Sequence, residues 1–435
     1  MASQNQSQFE HVKVITADTL IPGKGQPISS GAIAYQGKRI IFAGPKHSLP
    51  AEYQSVKSAH FHVIMPGLWD CHVHFLGSPR FSFDTLLSTP LVLVGARSAH
   101  DASQIINAGF TSVREMGGHG VHLATAIEEG VVIGPNIYPA CCLISQTGGH
   151  ADAHNVPVNV FCEAVSKGQP FCVCDGVDEC IKGVRTQLRH GAKVIKICAS
   201  GGVVSSRDNP NHQQFSVAEM RVMVEEAARA DRIVGAHCHG KAGIMAALEA
   251  GVKTIEHGTY LDDEAIQALI EYDAILVPTR SAITAALQLK GAFDPDSYAK
   301  LAAIVPQHLE AYGKAIRAGV RIALGTDFGV STPGTVLSHG NNGRELLHAV
   351  EAGMTPLQAI EAATANAPAT LGPQAPLSGQ LLAGYDADFI ALSKNPAEDI
   401  NVLSDTTNIT HVWKGGKLLK SPEAPVHSSS EHKGI

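Results

Sequence analysis

Between residues 67 and 370, short apolar runs alternate with segments of helical period, and this alternation constrains the fold of the 435-residue chain more than any other feature. The runs are Trp69–His74, Phe110–Met116, Ile137–Leu143, Lys193–Ser200, Ile233–Cys238, Lys253–His257, Ala274–Pro278 and Arg321–Asp327. Between them lie helix-like stretches such as VDECIKGVRTQLRHG, SVAEMRVMVEEAARAD and PQHLEAYGKAIRAG. Several end in Ala-Gly or His-Gly, where a left-handed residue favours a helix stop. Short buried strands separated by helices are joined as parallel neighbours, because a parallel pair needs a long crossover. Eight such pairs predict an α/β fold of the (β/α)8 TIM-barrel type. A doubly wound open sheet shares the alternation and stands as the alternative.

The ends of the chain read differently. VKVITADTLI, GAIAYQGKRIIFAG and SAHFHVIM before the alternation, and GYDADFIALS and THVWKGGKLL after it, are strands parted by turn residues. They predict a small β-sandwich domain made from residues 1–66 and 371–420, flanking a catalytic barrel over 67–370, with 421–435 as a flexible tail.

Composition narrows the class of partner. Hydrophobic residues make up 44% and charged residues 17%, the balance of a water-soluble chain with a large interior. A net charge of −7 with no basic run argues against nucleic acid. No apolar run approaches the roughly 18 residues of a membrane span. The nine cysteines, Cys141-Cys142, Cys172 and Cys174 among them, lack the spacing of a disulfide framework or zinc ribbon and read as free thiols. MASQNQSQFEHVKV has no secretory pattern, so a cytoplasmic location is expected, or a secreted one if a leader has been removed.

The 22 histidines invite a search for a metal site. In LWDCHVHF, strand alternation puts His72 and His74 on one face and Cys71 and Val73 on the other. Lys196 lies inside the fourth run, His237 ends the fifth, His257 the sixth and Asp327 the eighth. The C-terminal ends of barrel strands meet at one mouth, so these residues from five strands would share a cup. Any one of them alone reads equally well as a buried or exposed polar residue; five strands contributing together do not. Imidazole and carboxylate suit divalent metals, zinc first. A lysine among such metals must lose its charge or be chemically converted. His239 shares the His237 face.

MPGLWDCHVHF, Lys196 in AKVIKICASGG, the single histidines ending the next two strands, the final GTD and the tail signatures GYDADFIALSKNPAEDI and HVWKGGK together resemble the metal-dependent amidohydrolase superfamily over nearly the whole chain. The resemblance implies two divalent metal ions, Zn2+ before others, bridged by a carbamylated Lys196. It implies His72, His74 and Asp327 as ligands of the first metal and His237 and His257 of the second, with His239 as an alternative to His237. SQTGGHAD, GAKVIKICASGGV, NPNHQQFS and AHCHGKAGIMAALEAG are similar to the group that includes ochratoxinases and Xaa-Pro dipeptidases. That likeness implies a carboxypeptidase-like amide hydrolase that releases a C-terminal amino acid from N-acyl amino acids or dipeptides, ochratoxin A included.

In that chemistry the metals lower the pKa of water to about 7 and so make a nucleophile near neutral pH. Asp327 would pass the proton to the leaving amine. His150, in the glycine-flanked loop after the third run, would donate to the oxyanion. Tyr260 and Arg280 would grip the substrate carboxylate. The expected partner is a small amide with a free carboxylate, and the expected assembly a homo-oligomer. A hydrolase of cyclic amides or imidazolones keeps the same barrel and metals and is the second reading. A non-catalytic scaffold, the third, would have lost ligands, and none is missing.

Overall fold

The structure, a computed structural model, describes residues 11–80, 82–205, 207–289 and 295–424. Residues 425–435 of the expected tail and 1–10 of the N-terminal segment lie outside the described residues. Among the described residues no helix is long and apolar enough to cross a membrane.

Both ends of the chain build one seven-stranded sheet. Its strands run in the order Lys417–Lys420, Ile409–Lys414, Phe389–Leu392, Ser58–Pro66, Lys13–Leu20, Ile28–Gln36 and Arg39–Pro45. Alternation along these strands sends successive side chains to opposite faces. Ile15, Ile33, Ile64, Phe389 and Trp413 pack together in one cluster. Their neighbours Val63, Met65, Ile390 and Val412 join the main core of the molecule. The sheet is therefore anchored to the rest of the chain through one of its faces.

The chain leaves this sheet through Gly67. A Cβ there would lie 2.2 Å from the Thr111 Oγ1, so glycine alone lets the backbone pass. The next strand, Leu68–Ser78, is buried along its whole length. It sits in a four-stranded sheet ordered Phe328–Val330, Leu68–Ser78, Phe110–Glu115, Asn136–Pro139. A six-stranded sheet follows, ordered Ile275–Val277, Thr254–His257, Val234–Cys238, Ile195–Cys198, Leu143–Ser145, Phe171–Val173. All pairings in both are parallel.

Backbone bonds cross between the two sheets at two places. The Lys193 amide donates to the Pro139 carbonyl at 2.7 Å. On the other side Ala323 donates to Leu276 at 3.1 Å, Cys71 to Leu324 at 2.9 Å and Asp327 to His72 at 2.7 Å. Helices separate most of the strands; Gly176–His190, for example, ends on Gly191 at φ 97°.

Three details depart from simple strand periodicity. The third apolar run splits into two strands around Cys141, whose φ is 69°. The eighth makes a single bridge, Ile322 to Leu276, and regular strand begins only at Phe328, because Asp327 at φ 60° turns the backbone between them. The register also shifts between Asp70 and Val73. Cys71 consequently does not share a face with Val73: it packs with Trp69, Met116, Val277 and Ala323, whereas Val73 joins Phe75 and Val113 in the main core. Phe171–Val173 is a further parallel strand that the eight runs did not include.

Candidate metal centre

The C-terminal ends of the parallel strands carry two compact groups of ligand-type side chains. His72, His74 and Asp327 form one, and His237, His239 and His257 the other; within each group the nearest ligand atoms all lie within 4.8 Å. The rings of His72 and His257 are 5.3 Å apart between centroids, so the groups adjoin. Lys196, 1% exposed, brings its Nζ to 3.4 Å from the His72 Nε2. Six residues singled out in the sequence thus meet at one place, and His239 stands with His237 and His257 rather than apart from them.

Local backbone geometry makes this convergence work. His257 and Asp327 both adopt positive φ, 73° and 60°. Each costs of order 1–3 kcal/mol for a non-glycine residue and persists only where the surroundings impose it. At His257 the turn allows Glu256 and His257, adjacent in sequence, both to serve the centre.

The hydrogen-bond partners set which ring nitrogen carries a lone pair. The His74 Nδ1 donates to the Gly117 carbonyl at 2.7 Å, which leaves its Nε2 bare, 3.0 Å from the Asp327 Oδ1. The His72 Nδ1 bonds the Glu256 Oε2 at 2.8 Å, and its Nε2 lies 3.5 Å from the same Asp327 oxygen. Burial raises the Asp327 carboxyl, but His72, His74 and Lys196 outweigh it and hold the group at about 2. Two imidazoles and an ionised carboxylate therefore converge within hydrogen-bonding distance of one another, the kind of cluster a divalent cation can occupy. In the second group the His237 Nδ1 and the His257 Nε2 are only 2.8 Å apart.

Burial depresses the basicity of these rings. It lowers His72 to about 4, with Lys196 adding to the effect, and His239 to about 3. His237 and His257 fall well below the usual histidine value for the same reason. Burial also lowers Lys196. Neutral imidazoles and a carboxylate are a zinc-type donor set, so the residues fit divalent metal.

Sequence reasoning missed the support beneath this centre. Arg114 donates from Nη2 to both Glu256 oxygens, each at 2.8 Å, and Thr254 donates to the Glu256 Oε1 at 2.6 Å. Burial raises the Glu256 carboxyl, and Arg114, His72 and Lys196 outweigh it, so it stays below the usual range. Asp70 accepts from the amides of His72 and Thr326 at 3.1 and 3.0 Å, and from Asn342 at 2.8 Å, tying the first strand to the Asp327 segment. A readable signal existed: opposite charges, Arg114 and Glu256, inside two strands that are buried along their whole length.

The centre opens into a cavity whose empty space, including the part open to solvent, is about 1020 Å³. Its walls are apolar, with Leu86, Phe171, Val203, Ile283, Leu301 and Leu337 among them, and His150 and Ser82 add polar atoms. Tyr260 and Arg280 are not among the lining residues. Tyr260 packs behind the wall against the Val203, Ile283 and Leu301 cluster. The Arg280 guanidinium turns to the Val305 carbonyl at 3.3 Å and the His308 Nδ1 at 3.4 Å, while its amide is held by Glu345 at 3.0 Å.

His150 is among the residues that line the cavity. Its Nδ1 lies 2.9 Å from the Ser205 Oγ, and Ser205 donates its own proton to Asp208. Burial lowers the ring to about 4, so it is neutral near pH 7 and carries one N–H.

Known proteins share this architecture. The amidohydrolase family matches residues 63–419. Ochratoxinase from Aspergillus niger is 47% identical over 426 residues, covering 94% of this chain and 87% of the relative. The crystal structure of the A. niger ochratoxinase superposes with a TM-score of 0.88 at 45% identity, covering 97% of this chain and 98% of that one. A Xaa-Pro dipeptidase crystallised with methionine in its active site gives 0.82 at 32% identity, over 94% and 100%.

Proposed function

The chain belongs to the amidohydrolase family and is a hydrolase, and on that premise we propose that it is a binuclear, metal-dependent amide hydrolase of carboxypeptidase type. Its substrates are N-acyl amino acids and dipeptides with a free carboxylate, ochratoxin A among them, cut to ochratoxin alpha and phenylalanine. The reading takes the two parallel sheets as one (β/α)8 barrel over 67–370, with the composite sandwich of 1–66 and 371–420 beside it; backbone bonds between the two parallel sheets at two places support the barrel. The observation that carries the function is the meeting of His72, His74, Lys196, His237, His257 and Asp327 at the floor of one apolar cavity, in a chain 47% identical to an ochratoxinase.

His72, His74 and Asp327 would hold one metal and His237 and His257 the second, with His239 beside them and a carbamylated Lys196 as the bridge. Bound zinc would supply Lewis-acid polarisation and water of lowered pKa. A neutral Lys196 amine, favoured by its burial, is the form that reacts with carbon dioxide. Asp327, ionised and partly open to the cavity, takes the proton of the attacking water and returns it to the leaving amine. The apolar walls exclude water and hold the acyl group by aliphatic contact. Phe171 is the one phenyl side chain among the described lining residues, so acyl selectivity is loose: one methylene contact is worth about 1–3 kcal/mol.

The test is a panel of N-acyl amino acids and their C-terminal amides, assayed beside ochratoxin A. Free-carboxylate substrates should be cleaved much faster than the amides, and ochratoxin A should yield phenylalanine. Equal rates would remove carboxylate recognition from the reading; turnover of cyclic amides alone would overturn it.

A further inference from the structure

The helix Arg280–Leu287 has a cavity on each side. Ala282, Ile283 and Ala286 line the main one, above the metal centre. Ser281, Thr284, Ala285 and the C-capping Gln288 share another face of the helix and border a second, smaller cavity. Its empty space, including the part open to solvent, is about 410 Å³. Arg344, Leu347 and His348, which share one face of the helix Arg344–Glu351, form the opposite wall, and Phe328 and Val336 complete the lining.

Two polar groups of this second cavity are left unused by the protein. The Ser281 hydroxyl, in a residue 2% exposed, has no hydrogen-bond partner among the described residues. A buried hydroxyl is ordinarily bonded, so an orphan here calls for a partner from outside the chain. The Arg344 guanidinium, half-buried, likewise makes no ion pair or hydrogen bond among the described residues. The neighbouring carboxylates are already engaged. Glu345 accepts from the Arg280 and Ser281 amides at 3.0 and 2.7 Å, and Glu351 takes the His348 Nδ1 at 2.8 Å. The other nitrogen of that ring lies 3.0 Å from the Thr284 Oγ1. A spare cation and a spare hydroxyl therefore border a space whose remaining walls, Ala285, Phe328, Val336 and Leu347, are apolar.

We infer that this second cavity binds a small organic carboxylate, its anionic end at Arg344 and Ser281 and its apolar body against Phe328, Val336 and Leu347. A guanidinium matches a carboxylate in plane and charge, and the hydroxyl can donate to a further lone pair. Phosphate fits less well, because its remaining oxygens would be buried against apolar walls without partners. One helix separates this site from the main cavity, and a ligand here packs against the back of that wall. The inference does not depend on how the metal centre is read.

The experiment is calorimetric titration of butyrate into the metal-loaded protein, with butyramide and inorganic phosphate as comparisons. Butyrate should bind with a Kd of about 0.1–10 mM, the range open to so few atoms. Butyramide and phosphate should bind at least about tenfold more weakly. Arg344→Gln removes the charge and should weaken butyrate by at least about tenfold. Val336→Phe fills the cavity and should abolish the same binding. Metal content and Tm of both variants are measured alongside, so that loss of binding is told apart from loss of fold. Butyrate bound equally by the parent and both variants is ligation elsewhere, at the metals for instance, and would overturn the inference. So would no binding at all, or phosphate bound as tightly as butyrate. A failure to hydrolyse any amide would sink the proposed function and leave this titration unaffected.

Discussion

Replacing Arg114 by methionine isolates the support under the metal centre. Both Arg114 and Glu256 have no exposed side-chain surface, and the guanidinium satisfies both carboxylate oxygens at 2.8 Å. It also donates to the Cys71 carbonyl at 2.6 Å and to Thr254 at 2.9 Å. Methionine fills much of the volume but strands the buried carboxylate, and breaking one partner of such a pair destabilises by about 3–5 kcal/mol. For a chain of 435 residues this amounts to a fall in Tm of about 3–6 °C, from the usual unfolding entropy per residue. The comparison belongs on metal-depleted protein at one scan rate, so that neither linkage nor kinetics enters. Adding Glu256→Gln to Arg114→Met should recover much of the loss, because it removes the stranded charge. Glu256→Gln alone should loosen metal at the His72 group about 10–100-fold, since His72 loses the partner that orients it. An Arg114→Met protein with unchanged Tm, or a double variant as unstable as the sum of the singles, would refute the argument.

Lys196→Ala should lose metal and activity together, from near two equivalents per chain by metal analysis; full activity with one tightly held metal would contradict the bridge. Thiol alkylation of the folded enzyme should leave turnover intact, because burial pushes Cys71 up to about 12 and Cys238 higher still, and neither lines the cavity; substrate-protected loss of activity would count against this. Asp101, buried against Ser331, has its carboxyl pushed up by burial to about 7. Its folded form thus holds a proton that the unfolded form releases between pH 4 and 7, so this group lowers stability as pH rises through that window and not further above it. Asp101→Asn should therefore raise Tm more at pH 8 than at pH 4, and an equal shift at both would sink the assignment.

Much of the centre was legible before folding was considered. A period of two in the first apolar run puts His72 and His74 on one face, and placing ligand-type residues at the ends of successive runs brings six of them to one mouth. Strands and helices are local periodicities, so a single chain displays them directly. Arg114 and Glu256 lie 142 residues apart, and their pairing depends on which strands become neighbours. Cys71 changed faces because of a register shift, and Asp327 interrupts its own run through a backbone turn; both follow from how the strands meet. Arg280 follows a strand end, and only the fold brings its guanidinium to Val305 and His308 and its amide to Glu345. His150 was visible as a candidate site residue, whereas its contact with Ser205, 55 residues away, came only with the fold. Sequence periodicity determined which residue types reach the mouth; tertiary packing alone decided which nitrogen and which oxygen each presents there, because those choices belong to partners brought together only by the closed fold.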